Sequence, residues 1–194
     1  MILIRAGRVL GPAEELDIKA DVVLDGDRIA GIFPADQGGA EGAPGFSTRE
    51  RQYGKALKVP ADTEVIDATG LVVAPGLMDA HVHFRDPGPM YKEDIHTGAR
   101  AAAKGGFTTV VCMANTNPIV DNEETLRYVL EEGKKTGIHV LSCAAVSKGF
   151  AGRELTDMEG LLAAGAAGFT DDGIPLMEGT FVREAMEEAA RLDT

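Results

Sequence analysis

The spacing of apolar positions along this chain changes near residue 76. Before that point, short apolar runs recur close together, and Asp25-Gly26 stands between two of them as a hairpin turn signal. We interpret residues 1–75 as a small β-sandwich segment, with antiparallel strands predicted at 2–4, 8–10, 21–24 and 28–32 and further strands at 64–67 and 71–73. Residues 34–62 are rich in glycine and polar residues and show no clear period, so they predict a flexible insertion.

From residue 77 onward, strand-like and helix-like patterns alternate. Strands are predicted at 77–83, 107–113, 139–146 and 167–170, and helices at 92–104, 121–133, 156–162 and 180–191. Asp121 and Thr156 are the predicted N-terminal caps of the second and third helices, because a glutamate follows each of them after three residues. In the fourth helix, Met186 is predicted to face inward with Phe181 and Ala185.

Four consecutive βα units predict a parallel sheet with right-handed crossovers. A closed (β/α)8 barrel takes about 250 residues, so residues 76–194 predict an α/β fold, the first half of a TIM-type barrel. An open doubly wound sheet is the alternative, but no phosphate-binding glycine signature opens any of the predicted helices.

Composition narrows the possible partners. The chain has 194 residues, 44% of them hydrophobic, and a formal net charge of −12, which argues against nucleic acid or an anionic membrane surface as the main partner. Two cysteines in separate apolar runs indicate reduced, buried thiols. With no signal-peptide pattern and no apolar run of membrane-spanning length, we expect a cytoplasmic protein.

One predicted strand carries three polar residues at alternate positions. Asp79, His81 and His83 follow the period of two that places side chains on one face of a strand. Two imidazoles at this spacing can converge on one metal ion, whereas burying both rings without a partner would be costly. The pattern therefore indicates a metal site.

Polar residues also follow the ends of the other predicted strands. Arg85 comes after the first strand, Asn115 after the second, and Asp172 after the fourth. In a barrel, the carboxyl ends of the strands form the face where chemistry occurs. We therefore expect Asp172 to reach the ion held by His81 and His83, although Asp171-Asp172-Gly173 alone would be read as a plain turn.

These motifs together resemble the N-terminal half of a dihydroorotase of the amidohydrolase superfamily, in its long bacterial form. The resemblance covers nearly the whole chain apart from residues 34–62. Its motifs are residues 79–88, 92–98, 105–109, 115–118 and 169–173. The His-x-His element is shared by many amidohydrolases, but its combination with Arg85-Asp86-Pro87-Gly88 and with Thr170-Asp171-Asp172-Gly173 is much more specific.

The resemblance implies roles for individual residues. His81 and His83 would bind a first zinc ion, and Asp172 would bridge to a second, giving one or two zinc ions per subunit. Arg85 and Asn115 would hold the substrate carboxylate, in a substrate site that His83 also lines. Asp79 would orient a histidine through its other ring nitrogen. The proton-transferring aspartate of the family follows strand eight, so no catalytic residue is expected within this chain.

The implied reaction is the reversible, zinc-dependent conversion of N-carbamoyl-L-aspartate to L-dihydroorotate, a step of pyrimidine synthesis. The partner would be this small anionic substrate, and a homodimer or a complex with aspartate carbamoyltransferase is also implied. Two further zinc-binding histidines of the family would follow later strands. We therefore expect the 194-residue chain alone to bind zinc weakly and to be inactive.

Two other functions remain open. An allantoinase or a hydantoinase would share the fold and the histidine pair, and Arg85 distinguishes these enzymes because only a substrate with a free carboxylate requires it. A dihydroorotase-like protein without activity, serving as a structural partner of aspartate carbamoyltransferase, is the second alternative.

Overall fold

A computed structural model describes residues 1–34, 60 and 62–194 of the chain. These residues form two compact units, Met1–Pro75 and Gly76–Thr194. The insertion predicted over residues 34–62 lies almost entirely outside the described residues. Among the described residues, no helix is both long enough and apolar enough to cross a membrane.

The first unit contains a five-stranded sheet. Its strands are β1 (Ile2–Gly11), β2 (Leu16–Asp25), β3 (Arg28–Pro34), β4 (Glu64–Asp67) and β5 (Val72–Val73). The order is β3-β2-β1-β4, and β5 also pairs with β1. Val9, Ala20, Val22 and Ile32 are buried together on this sheet.

The sheet combines antiparallel and parallel pairing. β2 pairs antiparallel with β1 and β3, as predicted, and Asp25-Gly26 lies at the predicted hairpin. β4 and β5, predicted as strands without an assigned orientation, run parallel to β1. The long connection between β3 and β4 makes parallel pairing possible, since only adjacent strands joined by a tight turn must be antiparallel. The described strands form one sheet and not the two packed sheets of a sandwich.

The second unit is built from βα units. Its strands β6 (Leu77–Val82), β7 (Phe107–Cys112) and β8 (His139–Ser142) form a parallel sheet in the order β6-β7-β8. Its helices are α1 (Ile95–Lys104), α2 (Glu123–Lys134), α3 (Met158–Ala163) and α4 (Gly179–Leu192). The core lies between helices and sheet, where Ile95, Val110 and Leu126 are at most 1% exposed.

The predicted fourth strand is present only as a short parallel contact. A single bridge joins Ala144 to Phe169, and the amide of Thr170 donates to the carbonyl of Ala144 at 2.9 Å. This contact continues the sheet beyond β8 without forming a regular strand. It still places Thr170 and the residues after it at the carboxyl edge of the sheet, where the predicted site lies.

The first turns of three helices are set by aspartate or asparagine side chains. Asp94 caps α1, so that helix begins at Ile95 and not at residue 92. Asn122 caps α2, and Asp157 caps α3. The predicted caps Asp121 and Thr156 were therefore wrong by one residue each.

Tertiary contacts explain both errors. Asp121 Oδ2 accepts a hydrogen bond from the backbone amide of Gly149 at 2.9 Å, and the Thr156 hydroxyl donates to the carbonyl of Ala145 at 2.7 Å. Each side chain is thus engaged with a distant loop. The neighbouring residue supplies the cap instead, because side-chain oxygens of Asp and Asn satisfy the free amides of a first turn equally well.

The period of two that puts Asp79 and His81 on one face of their strand predicts that Met78 packs on the opposite face, and Met186 was predicted to face inward, but both methionines are exposed. Met78, on β6, is 57% exposed, because β6 is the edge of the described three-stranded sheet. Met186, on α4, is 69% exposed, whereas Phe181 and Ala185 on that helix are buried. The apolar face of α4 is therefore narrower than its sequence suggested.

Candidate metal centre

The site residues follow the carboxyl ends of successive parallel segments. His81 lies on β6, and His83 is one residue past its end. Asn115 is three residues past the end of β7, and Asp172 follows the short parallel segment that ends at Thr170. The parallel sheet brings these ends to one edge, so residues far apart in sequence meet there.

His81, His83 and Asp172 form a compact set of donor atoms. The two Nε2 atoms are 3.2 Å apart. His81 Nε2 lies 3.4 Å from Asp172 Oδ1, and His83 Nε2 lies 3.4 Å from Asp172 Oδ2. One donor atom from each residue lies within 4.8 Å of the others. This is the only such set of three among the residues that the structure describes.

The separations fit a tetrahedral metal ion. Zinc binds histidine nitrogen and carboxylate oxygen at about 2.0 to 2.1 Å, so two ligands of a tetrahedral site are separated by about 3.3 to 3.4 Å. The three observed distances are close to this spacing, and the two that reach Asp172 end on different oxygens of its carboxylate. Two imidazoles and a carboxylate are also a common zinc ligand set. The donor set of this site therefore fits a divalent metal ion.

Asn115 connects two of the three ligands. Its Nδ2 donates to Asp172 Oδ2 at 3.1 Å, and its Oδ1 lies 3.0 Å from His83 Nδ1. A carboxylate can only accept, so the contact with Asp172 fixes the orientation of the amide. The amide oxygen then faces His83, which must donate from Nδ1. This tautomer leaves the lone pair of His83 Nε2 free to bind a metal.

Asp79 acts on the backbone and not on a ring. Its Oδ1 accepts a hydrogen bond from the amide of His81 at 3.0 Å. The resemblance implied that Asp79 orients a histidine through a ring nitrogen, and that role stays a prediction. The observed contact holds the backbone of β6 at His81. It therefore affects the position of the His81 backbone and not the orientation of the imidazole ring.

The two neighbouring acids at 171 and 172 have different environments. Asp171 is 7% exposed, and its carboxylate accepts hydrogen bonds from the amides of Val146 and Ser147 and from the Ser147 hydroxyl. These donors satisfy the buried charge. Asp172 points to the histidines, as the distances above show. Asp171 therefore holds the loop after β8 to the end of the fourth parallel segment, while Asp172 serves the candidate centre.

Arg85 lies two residues beyond His83 in the loop between β6 and α1. It is half-buried and has a positive φ of 59°, in the left-handed region. No hydrogen bond or ion pair joins its guanidinium to another residue in the described part of the chain. The structure thus places Arg85 in the loop that directly follows the strand of His81 and His83, the candidate metal ligands.

Sequence reasoning missed two features around the site. Asn115 was assigned to substrate only, and its link between His83 and Asp172 was not foreseen. Asp86 is only 3% exposed, and its Oδ1 accepts a hydrogen bond from the Tyr128 hydroxyl at 2.8 Å. No period or motif marks Tyr128, since it lies outside the apolar face of α2.

Comparisons with known proteins assign the family. A family model described as dihydro-orotase-like matches residues 70–194. A protein of Clostridioides difficile (strain 630) named dihydroorotase is 51% identical over 193 residues, and one of Streptococcus thermophilus (strain CNRZ 1066) with the same name is 50% identical over 194 residues. In both comparisons 100% of this chain is covered but only 41% of the relative, so the chain spans about two fifths of their length.

Solved structures show the same fold. An L-hydantoinase (dihydropyrimidinase) from Arthrobacter aurescens superposes with a TM-score of 0.69 at 20% identity, covering 98% of this chain and 38% of that one. A D-hydantoinase (dihydropyrimidinase) from Thermus sp. gives a TM-score of 0.54 at 29% identity, covering 84% of this chain and 30% of that one. These neighbours confirm the predicted partial (β/α)8 barrel. With its site residues at the strand ends and its match over residues 70–194, the chain belongs to the dihydro-orotase-like family.

Proposed function

We propose that the protein carrying this chain is a zinc-dependent dihydroorotase, which interconverts N-carbamoyl-L-aspartate and L-dihydroorotate. The observation that carries the proposal is the triangle of His81, His83 and Asp172 with Arg85 in the adjoining loop. It combines a metal ligand set with a cation for a carboxylate. The relatives named dihydroorotase support the choice of reaction.

Within this proposal, His81 and His83 hold zinc through Nε2, and Asp172 supplies a carboxylate oxygen. When bound, zinc polarises an amide carbonyl and lowers the pKa of water to about 7. Asn115 keeps His83 in the tautomer that can bind metal and holds the Asp172 carboxylate in place. We assign the proton-transferring group of the reaction to no residue of this chain.

Arg85 binds the carboxylate that both substrates carry. A guanidinium matches a carboxylate with two parallel hydrogen bonds, which makes this contact stronger and more directional than one from lysine. The half-buried position of Arg85 reduces competition from water for these bonds. Because the whole chain is acidic, with a formal net charge of −12, a local cation is required to attract an anionic substrate.

A hydantoinase is the second candidate, because the solved neighbours have that name. Arg85 argues for dihydroorotase, since an unsubstituted hydantoin has no carboxylate to occupy a guanidinium.

The free thiols Cys112 and Cys143 support a further part of the proposal, a cytoplasmic location.

The test uses the protein expressed from its complete native reading frame and loaded with zinc. We expect turnover of dihydroorotate and its loss, together with loss of zinc, in His81→Ala. Arg85→Ala should retain zinc but raise KM for dihydroorotate about 10- to 150-fold, as expected for a lost charge-assisted hydrogen bond. Arg100→Ala, an exposed arginine on α1, is the matched control and should leave KM unchanged.

Two outcomes would contradict the proposal. One is equal turnover of hydantoin and dihydroorotate, which would favour the second candidate. The other is an unchanged KM in Arg85→Ala, which would show that no substrate carboxylate meets this guanidinium.

A further inference from the structure

The loop that carries Arg85 is anchored on both sides of that residue. We call residues 84–88 the arginine loop. Phe84 is 9% exposed and packs closely on Gly98 of α1, and Asp86 is 3% exposed. Arg85 lies between these two buried residues with a φ of 59°. A non-glycine residue adopts this conformation only where its surroundings impose it.

Asp86 is the main anchor of the arginine loop. Its Oδ1 accepts a hydrogen bond from the Tyr128 hydroxyl on α2 at 2.8 Å, and its Oδ2 accepts a longer one from the amide of Ile95 at 3.4 Å. The carboxylate thereby ties the loop to the helices of two successive βα units. A buried carboxylate without these donors would be strongly unfavourable.

Helix capping does not account for Asp86. Asp94 already caps α1, with a hydrogen bond of 2.7 Å from the amide of Thr97. Of the two hydrogen bonds that Asp86 accepts, the one from the amide of Ile95 is longer, and therefore weaker, than the one from Tyr128. Its shorter bond reaches across 42 residues to Tyr128, which has no part in the first turn of α1. The hydrogen bond to Asp86 raises the pKa of Tyr128 to about 12, so the hydroxyl remains a donor throughout the neutral range.

We propose that Asp86 and Tyr128 are positioning residues that fix the backbone of Arg85 for binding of the substrate carboxylate. The proposal rests on the proposed function, because it assigns the guanidinium to a substrate. An arginine on a fixed backbone loses less conformational freedom when it binds, and so it binds more tightly. A further contact supports the arrangement: Pro87 accepts a hydrogen bond at 2.9 Å from the amide of Asn117, in the loop that also carries Asn115.

The test is Tyr128→Phe, which removes one oxygen atom and keeps the ring. The matched control is Tyr91→Phe, because the Tyr91 side chain is 86% exposed. In the zinc-loaded protein from the complete native reading frame, we expect Tyr128→Phe to raise KM for dihydroorotate about 2- to 10-fold, with kcat and zinc content unchanged. Tyr91→Phe should alter none of these values.

Hydrogen exchange on the protein from the complete native reading frame gives an independent readout. We expect the backbone amides of Arg85 and Asp86 to exchange faster in Tyr128→Phe than in the wild type or in Tyr91→Phe. A purely structural role would lower Tm without raising KM or the exchange rates at these two amides, and that result would overturn the inference. If the wild-type protein fails to turn over dihydroorotate, the proposed function is rejected, and the exchange rates alone decide whether Tyr128 holds the arginine loop.

Discussion

Replacing Asn115 by alanine tests how the candidate centre is held together. The substitution removes the group that accepts from His83 Nδ1 at 3.0 Å and the group that donates to Asp172 Oδ2 at 3.1 Å. Both partners are proposed metal ligands, and neither is itself altered. The substitution therefore changes the preorganisation of the site while leaving every ligand present.

The expected loss can be worked out from these two contacts. Removing a hydrogen-bond partner of a metal ligand costs about 10- to 100-fold in metal affinity. Asn115 contacts two proposed ligands of one ion, but effects within one network do not simply add. We therefore expect an affinity about 100-fold lower, which corresponds to about 2.7 kcal/mol.

The measurement is a zinc titration, in competition with a chromophoric chelator, of the protein expressed from its complete native reading frame. Cobalt absorption spectra on the same variants report whether the ligand geometry has changed. Asn117→Ala is the matched control, because the Asn117 side chain is exposed and lies two residues along the same loop. Equal zinc affinities for wild type and Asn115→Ala would refute the argument that the amide orients His83 and Asp172.

Two further predictions concern packing and cysteine reactivity. Gly98→Ala would place a Cβ 2.4 Å from ring atoms of Phe84, so urea unfolding should show a loss of about 1 to 3 kcal/mol, whereas Gly137→Ala, with open space around it, should change little. Burial raises the pKa of Cys112 to about 12 and also raises that of Cys143. Because the thiolate is the reactive form, iodoacetamide at pH 8 should label both thiols more than about tenfold faster in urea than in the folded chain. Equal stabilities of Gly98→Ala and Gly137→Ala would contradict the packing prediction. Equal labelling rates in urea and in the folded chain would contradict the cysteine prediction.

The family match and the relatives confirm the resemblance of the motifs to the dihydroorotase family. The solved structures confirm the partial barrel. These conclusions depended on local signals. The period of two along residues 79–83 and the alternation of strand and helix patterns can be read from neighbouring residues alone. The bounds of β7 and α2 were predicted to within two residues for the same reason.

Local patterns could not choose between adjacent residues of similar chemistry. Asp121 and Asn122 are both good caps, and Asp171 and Asp172 are both possible ligands. The choice depends on hydrogen-bond donors from distant segments. The amide of Gly149 donates to Asp121, and the amides of Val146 and Ser147 and the Ser147 hydroxyl donate to Asp171. Because Asp121 and Asp171 are held by these donors, Asn122 is left to cap α2 and Asp172 is left to face the candidate metal centre.

The sequence by itself thus determined the βα order, the histidine pair on one strand and the family of the chain. Only the tertiary structure decided that Asn115 contacts His83 across 32 residues and Asp172 across 57, and that Tyr128 holds Asp86 across 42. The physical reason is the distance along the chain over which each kind of signal acts. Periodicity reports the face on which a side chain lies, whereas a hydrogen bond between distant segments depends on how the helices pack against the sheet.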